Sequence, residues 1–153
     1  MTVAEVLQWL EKNREEKTVV LATGVFDLLH EEHKRFLQKA GEIGDILVVG
    51  VESDLRVKQL KGENRPIWNQ DKRVSELEKT NLADAVFVLP EQFSKSEDHE
   101  KLIAQIKPNF LAISSHTPHQ EEKQAIIQKY DGKLVVVLAQ NPAVSTTIKL
   151  QQS

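Results

Sequence analysis

No cysteine occurs among the 153 residues. Disulfides, thiolate metal sites and cysteine nucleophiles are therefore excluded, and the composition fits a reducing compartment. A basic excess is also missing. Lys and Arg number 20 against 23 Asp and Glu, a formal charge of −3, so nothing marks DNA or RNA as the main partner. Local basic residues still suit a small phosphorylated ligand. No stretch approaches the roughly 18 apolar residues of a membrane span, so no membrane partner is expected. The first turns carry Glu5, Glu11 and Lys12 in place of an apolar signal core, and a cytoplasmic location is the default expectation. No repeat, low-complexity tract or linker interrupts the chain, so residues 1–153 read as one domain.

What is present is ordinary globular material: 40 % hydrophobic and 28 % charged residues, in a chain long enough to bury a sizeable core. Val3, Val6, Leu7 and Leu10 recur at helical spacing, which predicts a helix over 3–15 packed on the edge of the core. Apolar runs at 18–22, 45–51, 85–89, 110–113 and 134–138 read as five strands. The continuous hydrophobicity of 45–51 is that of a strand buried on both faces, as in a parallel sheet. Between the strands, 31–42, 69–80, 97–107 and 119–130 show helical spacing, and a short last helix is expected near Ser145. A polar, basic stretch runs from Glu52 to Arg65, and the segment Val57 to Pro66 that overlaps it fits a solvated loop. Strict alternation of strand and helix predicts an α/β fold: a Rossmann-like open parallel five-stranded sheet with helices on both faces. In such sheets ligands bind at the carboxyl ends of the strands, so the loops after Ala22, Val51, Ile113 and Leu138 are where chemistry is expected.

The loop after the first strand reads Thr23-Gly24-Val25-Phe26-Asp27-Leu28-Leu29-His30-Glu31-Glu32-His33. Gly24 is suited to a tight turn that brings backbone close to a phosphate. A helix starting near Glu31 presents unpaired N–H groups and a positive dipole end, a ready anion site. His30 and His33, three apart, face the same side of that helix. Taken singly, each histidine fits an ordinary structural or exposed position as well. Asp27 suits either a turn-holding role or direct ligand contact.

This segment resembles the signature of the HxGH nucleotidyltransferases, a superfamily that includes cytidylyltransferases and shares its motif with class I aminoacyl-tRNA synthetases. The similarity continues through Val3 to Lys17, Gly44 to Val51, Lys58 to Arg73 and Ser145 to Lys149, where the chain looks like the adenylyltransferase domain that activates heptose phosphates in bacteria; it covers roughly the whole chain. The resemblance implies nucleotidyl transfer from a nucleoside triphosphate, ATP favoured and CTP open, to a sugar or polyol phosphate, with Mg2+ accompanying the nucleotide. It implies that His30 and His33 stabilise the transition state and that Lys58 acts beside them. Thr23, Gly24, Val25, Phe26, Asp27, Lys61, Arg73, Ser145, Thr146 and Thr147 are implied to bind the nucleotide or its phosphates. Arg73 is implied to fix either the loop or a phosphate. Ser145 is also a natural N-cap, which is compatible with a phosphate role. No metal ligand set of the protein's own is implied, and a homodimer is an open arrangement.

The chain departs from the pattern at named positions. Glu32 stands where the family has the glycine of HxGH, adding bulk and charge beside a polyanion. A like-charge contact at about 4 Å costs roughly 1–4 kcal/mol, depending on the effective dielectric, against about 0.3–1 kcal/mol gained by an acidic residue at a helix N-terminus. Ser114-Ser115-His116-Thr117-Pro118-His119 replaces a glycine-rich acidic turn, Thr23 replaces an asparagine, and Gln140-Asn141-Pro142-Ala143 lacks the arginine of the cytidylyltransferases. His116 and His119 are candidates for a metal pair or for plain surface-loop residues. The alternative to turnover is therefore a degenerate member that binds a nucleotide without efficient catalysis.

Overall fold

The computed structural model describes residues 1–137; residues 138–153 lie outside that range. The described elements are α1 (Val3–Asn13), β1 (Val19–Gly24), α2 (Glu31–Gly41), β2 (Ile46–Val51), α3 (Asp54–Lys61), α4 (Gln70–Lys79), β3 (Ala85–Val88), α5 (Ser96–Ile106), β4 (Phe110–Ser114), α6 (Gln120–Lys129) and β5 (Lys133–Val137). The five strands form one sheet in the order β3-β2-β1-β4-β5, and every neighbouring pair is parallel.

Side chains alternate between the two faces of a strand, so each strand feeds two cores. Val19 and Leu21 of β1 and Ile46 and Val48 of β2 face α1, α5 and α6 through Val6, Leu10, Leu102, Ile103, Ile106 and Ile127. Val20 and Ala22 of β1, with Leu47, Val49 and Val51 of β2, face α2 and α4 through Phe36, Leu37, Ala40 and Leu77. The expected sheet with helices on both faces is what forms. All six residues of β2 are buried, as its unbroken apolar run required.

The strand order reverses at β1. From there the chain fills one half of the sheet with β2 and β3, then crosses back to place β4 and β5 on the other side. β1 pairs with β2 over six positions, Val19↔Ile46 to Gly24↔Val51. Its pairing with β4 is confined to Val20↔Phe110 and Leu21↔Leu111. Beyond Leu21 the two strands part, and the crevice typical of a topological switch point opens between their carboxyl ends.

One expected loop is in part a helix. Asp54–Lys61 forms α3, although only Val57 of it is buried. Its polar circumference carries no amphipathic stripe, which is why hydrophobic spacing does not reveal it. The cap does: Ser53 Oγ accepts the Arg56 N–H at 3.1 Å, the arrangement that satisfies an otherwise unpaired donor in the first turn.

Candidate active site

Where β1 and β4 part lies a cleft of about 850 Å3. One wall is the end of β1 and the start of α2, with Thr23, Gly24, Val25, Phe26, His30, Glu32 and His33, joined by Lys61 from the end of α3. The facing wall is Phe93, His99, Leu102 and Ile103 from the α5 region, with Lys123 and Ile126 of α6. Ser114 at the end of β4 and Ser115 to Pro118 after it close one end.

His30 is the N-cap of α2. Its Nδ1 accepts the Glu32 N–H at 3.2 Å, and His33 Nδ1 accepts the His30 N–H at 3.3 Å. The two histidines thus build a reciprocal cap in which imidazole nitrogens take the place usually held by hydroxyl and carboxylate oxygens. The rings stack with centroids 3.9 Å apart and planes 20° apart. Phe26 meets the His33 ring edge-on at 5.5 Å. A nitrogen that accepts a backbone N–H carries no proton, so a neutral ring in this cap holds its hydrogen on Nε2. Burial first, then the charges of His30 and Lys61, lower His33 to about 4 against the opposing pull of Asp27. At neutral pH His33 is therefore an uncharged Nε2–H donor in the cleft wall.

The loop between β1 and α2 is shaped by two residues in the left-handed region, Phe26 (φ 53°) and Leu28 (φ 51°). The expectation that Gly24 makes the turn is corrected here. Gly24 ends β1 and has no positive φ; its missing side chain matters because a Cβ there would lie 2.9 Å from the Phe26 ring. Glycine leaves room for the ring that packs on His33.

Behind the loop stand two buried charges. Asp27 accepts the N–H groups of Ile67 (2.8 Å) and Trp68 (2.9 Å) and lies 3.5 Å from Arg65 Nε. Burial alone would raise its carboxyl, but the two backbone donors with Arg65 and Arg73 hold it below the usual carboxylate range. Arg73 is fully buried. It donates to the Trp68, Val25 and Glu52 carbonyls at 3.0, 2.9 and 2.7 Å and to Asp54 Oδ1 at 2.8 Å. Both residues tie the β1–α2 loop to the 65–68 segment. Of the two roles open for Arg73, its bonds serve the loop.

Of the residues singled out in the sequence, Thr23, Gly24, Val25, Phe26, His30, His33 and Lys61 come together at the cleft. Asp27 and Arg73 lie behind it. Lys58 is exposed on α3 and is not among the described lining residues. Ser145, Thr146 and Thr147 lie outside the described residues. Glu32 lines the cleft with its side chain 18 % exposed, 3.5 Å from Arg35. Among the described residues no three of His, Asp and Glu converge as a metal site. Sequence reasoning missed His99 and Lys123. The available signal was helical spacing: His99 precedes Leu102 and Ile103 on one face of α5, and Lys123 precedes Ile126 and Ile127 on α6. Each is a polar head on an apolar stripe.

The cytidylyltransferase-like family matches residues 21–149, from β1 through the whole cleft. The chain belongs to this family. Nucleotidyltransferase ancestry follows from that membership, as the segment Thr23 to His33 led one to expect. Among curated relatives of this family member, the bifunctional protein HldE of Pelobacter propionicus is 37 % identical over 88 % of the chain, and that of Campylobacter fetus 42 % identical over 67 %. The chain spans 27 % and 21 % of those two proteins. A lipopolysaccharide core biosynthesis protein from Thermoplasma volcanium superposes with a TM-score of 0.69 at 26 % identity, covering 82 % of this chain and 99 % of that one. The fold also matches a pantoate-beta-alanine ligase from Francisella tularensis, solved in complex with beta-gamma ATP and beta-alanine. There the TM-score is 0.64 at 13 % identity, over 93 % of this chain and 67 % of that one. No helix among the described residues is long and apolar enough to cross a membrane.

Proposed function

We propose that the chain transfers a nucleotidyl group from a nucleoside triphosphate, ATP in preference to CTP, to the phosphate of a sugar or polyol phosphate. An acceptor phosphate oxygen attacks the α-phosphorus. A new P–O bond forms as the bond from that phosphorus to the β-bridging oxygen breaks, and pyrophosphate leaves with the electron pair. The observation that carries this reading is the stacked histidine pair at the start of α2, whose Nδ1 atoms are spent on the helix cap and whose Nε2 atoms are left for a ligand. Two N–H donors beside a helix N-terminus suit phosphate oxygens whose charge redistributes in the transition state. The rest is positioning, with no covalent intermediate on the protein. Lys61 balances charge on the triphosphate, with Lys58 one turn earlier on α3. Ser145, Thr146 and Thr147 complete the phosphate cradle in this reading, following the resemblance.

Mg2+ would enter with the nucleotide. It would be held chiefly by the substrate phosphates and waters, since this ion needs at most about one or two protein carboxylates and not a dedicated all-protein cage. The chemistry it supplies is neutralisation of triphosphate charge.

A second reading, nucleotide binding without efficient turnover, is favoured by one observation, the Glu32 carboxylate in the cleft wall. Glu32→Gly separates the two readings: a large gain in nucleotide affinity supports degeneration, and no gain means a pocket built around the glutamate. The primary test is pyrophosphate release with Mg2+, crossing ATP, CTP, GTP and UTP with sugar and polyol phosphates and using His30→Ala as blank. Release that needs one nucleotide and one acceptor, and vanishes in the variant, supports transfer. Silence from the folded protein across the panel sinks it.

A further inference from the structure

The wall of the cleft facing the histidine pair carries a cation without a firm partner. Lys123, in the first turns of α6, is half-buried, and among the described residues nothing accepts a hydrogen bond from its amine. It lines both the main cleft and an adjoining side pocket of about 180 Å3. His99 of α5 shares both positions. The side pocket is completed by His119, Ser94 and Ser96, and Glu122 is its one acidic residue among those described.

Behind this wall Glu52 directly follows β2, 8 % exposed. Its Oε2 lies 3.8 Å from Arg56 Nε, and neither atom has a hydrogen-bond partner among the described residues. Burial raises the Glu52 carboxyl to about 7 against the pull of Arg56, Lys123 and Arg73. Burial likewise lowers Lys123 from its ordinary value, against the attraction of Glu122 and Glu52. Glu52 is thus an incomplete counter-ion for two nearby cations near neutral pH. A partly desolvated ammonium is costly unless it is paired and hydrogen-bonded. An anion entering from the cleft meets that need, and the side pocket beside it offers hydroxyls, ring nitrogens and one carboxylate, the groups that bind a polyol.

We propose that this wall is the acceptor subsite: Lys123 holds the phosphate of a small phosphomonoester on the main-cleft side, facing His30 and His33, while the hydroxylated body of that molecule enters the side pocket between His99 and His119. The assignment rests on the transfer reading above for its role in a reaction. The recognition chemistry, a phosphomonoester with several hydroxyls, rests on the side pocket itself. Burial first, then Lys123, lowers His99 to about 4, so it meets the ligand as a neutral imidazole suited to hydroxyls. Lys123 carries the positive charge.

Isothermal titration of the full chain separates these statements. The probes are inorganic phosphate, glycerol 3-phosphate, glucose 1-phosphate and, separately, Mg2+ with ATP. The wild type is expected to bind the two phosphomonoesters more tightly than inorganic phosphate. Lys123→Met is expected to weaken both phosphomonoesters about tenfold or more, the size of a lost charge-assisted hydrogen bond, while ATP binding stays within about twofold and the protein melts with the wild type; Lys123→Arg restores most of the loss. His119→Ala is expected to narrow the gap between glycerol 3-phosphate and inorganic phosphate. A wild type that binds ATP but none of the three phosphates overturns the subsite and leaves the transfer reading to its own assay. So does Lys123→Met weakening ATP as much as the phosphomonoesters. Phosphomonoester binding through Lys123 in a protein that neither binds ATP nor releases pyrophosphate upholds the subsite and removes the transfer reading.

Discussion

On the α2 wall of the cleft most polar groups bond to one another, although Arg65 Nε beside Asp27 lacks a hydrogen-bond partner among the described residues. His30 and His33 cap the helix reciprocally, Asp27 takes two backbone donors, and Arg73 is enclosed by four acceptors. On the α5/α6 wall the polar groups stand apart. Lys123 has no hydrogen-bond acceptor among the described residues, and behind that wall Glu52 and Arg56 have unmet atoms. A site whose geometry is fixed by its own bonds is preorganised, and its donors cost little to arrange at the moment of reaction. A wall with unspent valences is completed by what it binds. Under the proposed function, the contrast fits the reaction to the first wall and selection among acceptors to the second.

The largest break in this comparison is expected from Arg73→Ala. It strands three carbonyls, where each unsatisfied buried group costs about 1–3 kcal/mol, and removes the partner of the partly exposed Asp54. A loss of about 3 kcal/mol or more in urea unfolding is the expected result, with loss of activity because the β1–α2 loop is untied. A loss below about 1 kcal/mol would mean that the web behind the histidines carries little weight.

The next pair sharpens the role of the cap. His30→Ala removes both the cap and the Nε2 donor, so about 1 kcal/mol of stability and about 10²–10³-fold in turnover are expected to go together. His30→Asn keeps a good capping side chain and loses the donor. Its melting temperature is expected to stay near the wild type while turnover falls as far as in the alanine variant. Equal activity in His30→Asn and wild type would reduce His30 to a cap.

The histidines of the two walls and Glu52 behind the α5/α6 wall differ in how they respond to pH. His33 and His99, both near 4 in the fold, sit below the value of about 6.5 expected for the unfolded chain. Between those values the unfolded chain binds more protons, so both histidines make stability fall as pH drops. Glu52, near 7 in the fold against about 4.3 unfolded, acts in the opposite sense: the fold binds the extra proton, and that contribution is lost as pH rises through 7. Glu52→Gln removes the opposing contribution. Its unfolding free energy is expected to climb more steeply than the wild type's from about pH 4.5 to 7, read from urea titrations at each pH. Parallel pH profiles would show that Glu52 is not held as described. The smallest effect separates two lysines. Lys61→Ala is expected to weaken nucleotide binding several-fold more than Lys58→Ala, because only Lys61 lines the cleft.

Much of this was legible in the residues. Five apolar runs became five parallel strands; β2 is buried throughout, while the edge strand β5 keeps Lys133 and Val136 exposed, and a continuous hydrophobic pattern has few other homes in a chain this size. The histidine pair was legible because spacing and helix start coincide. α3 was not, since a helix with one buried residue leaves no periodic trace. Gly24 was singled out for a turn that Phe26 and Leu28 make, because a glycine's service to a neighbouring ring has no local signature. The α5/α6 wall was invisible for a topological reason. Glu52, His99 and Lys123 are brought together only by the crossover to β4, and no local window contains two of them. The expected roles of Ser145 to Thr147 fall outside the described residues.

The central claim is transfer of a nucleotidyl group at the His30–His33 pair. ATP carrying a label on its α-phosphate, incubated with Mg2+ and a phosphomonoester that the protein binds, tests it most directly. The account predicts that label moves to the phosphomonoester with one pyrophosphate released per transfer, that no label stays on the protein, and that His30→Asn abolishes the movement while remaining folded. Label that stays in ATP despite binding of both ligands, or transfer that persists in His30→Asn, would contradict it.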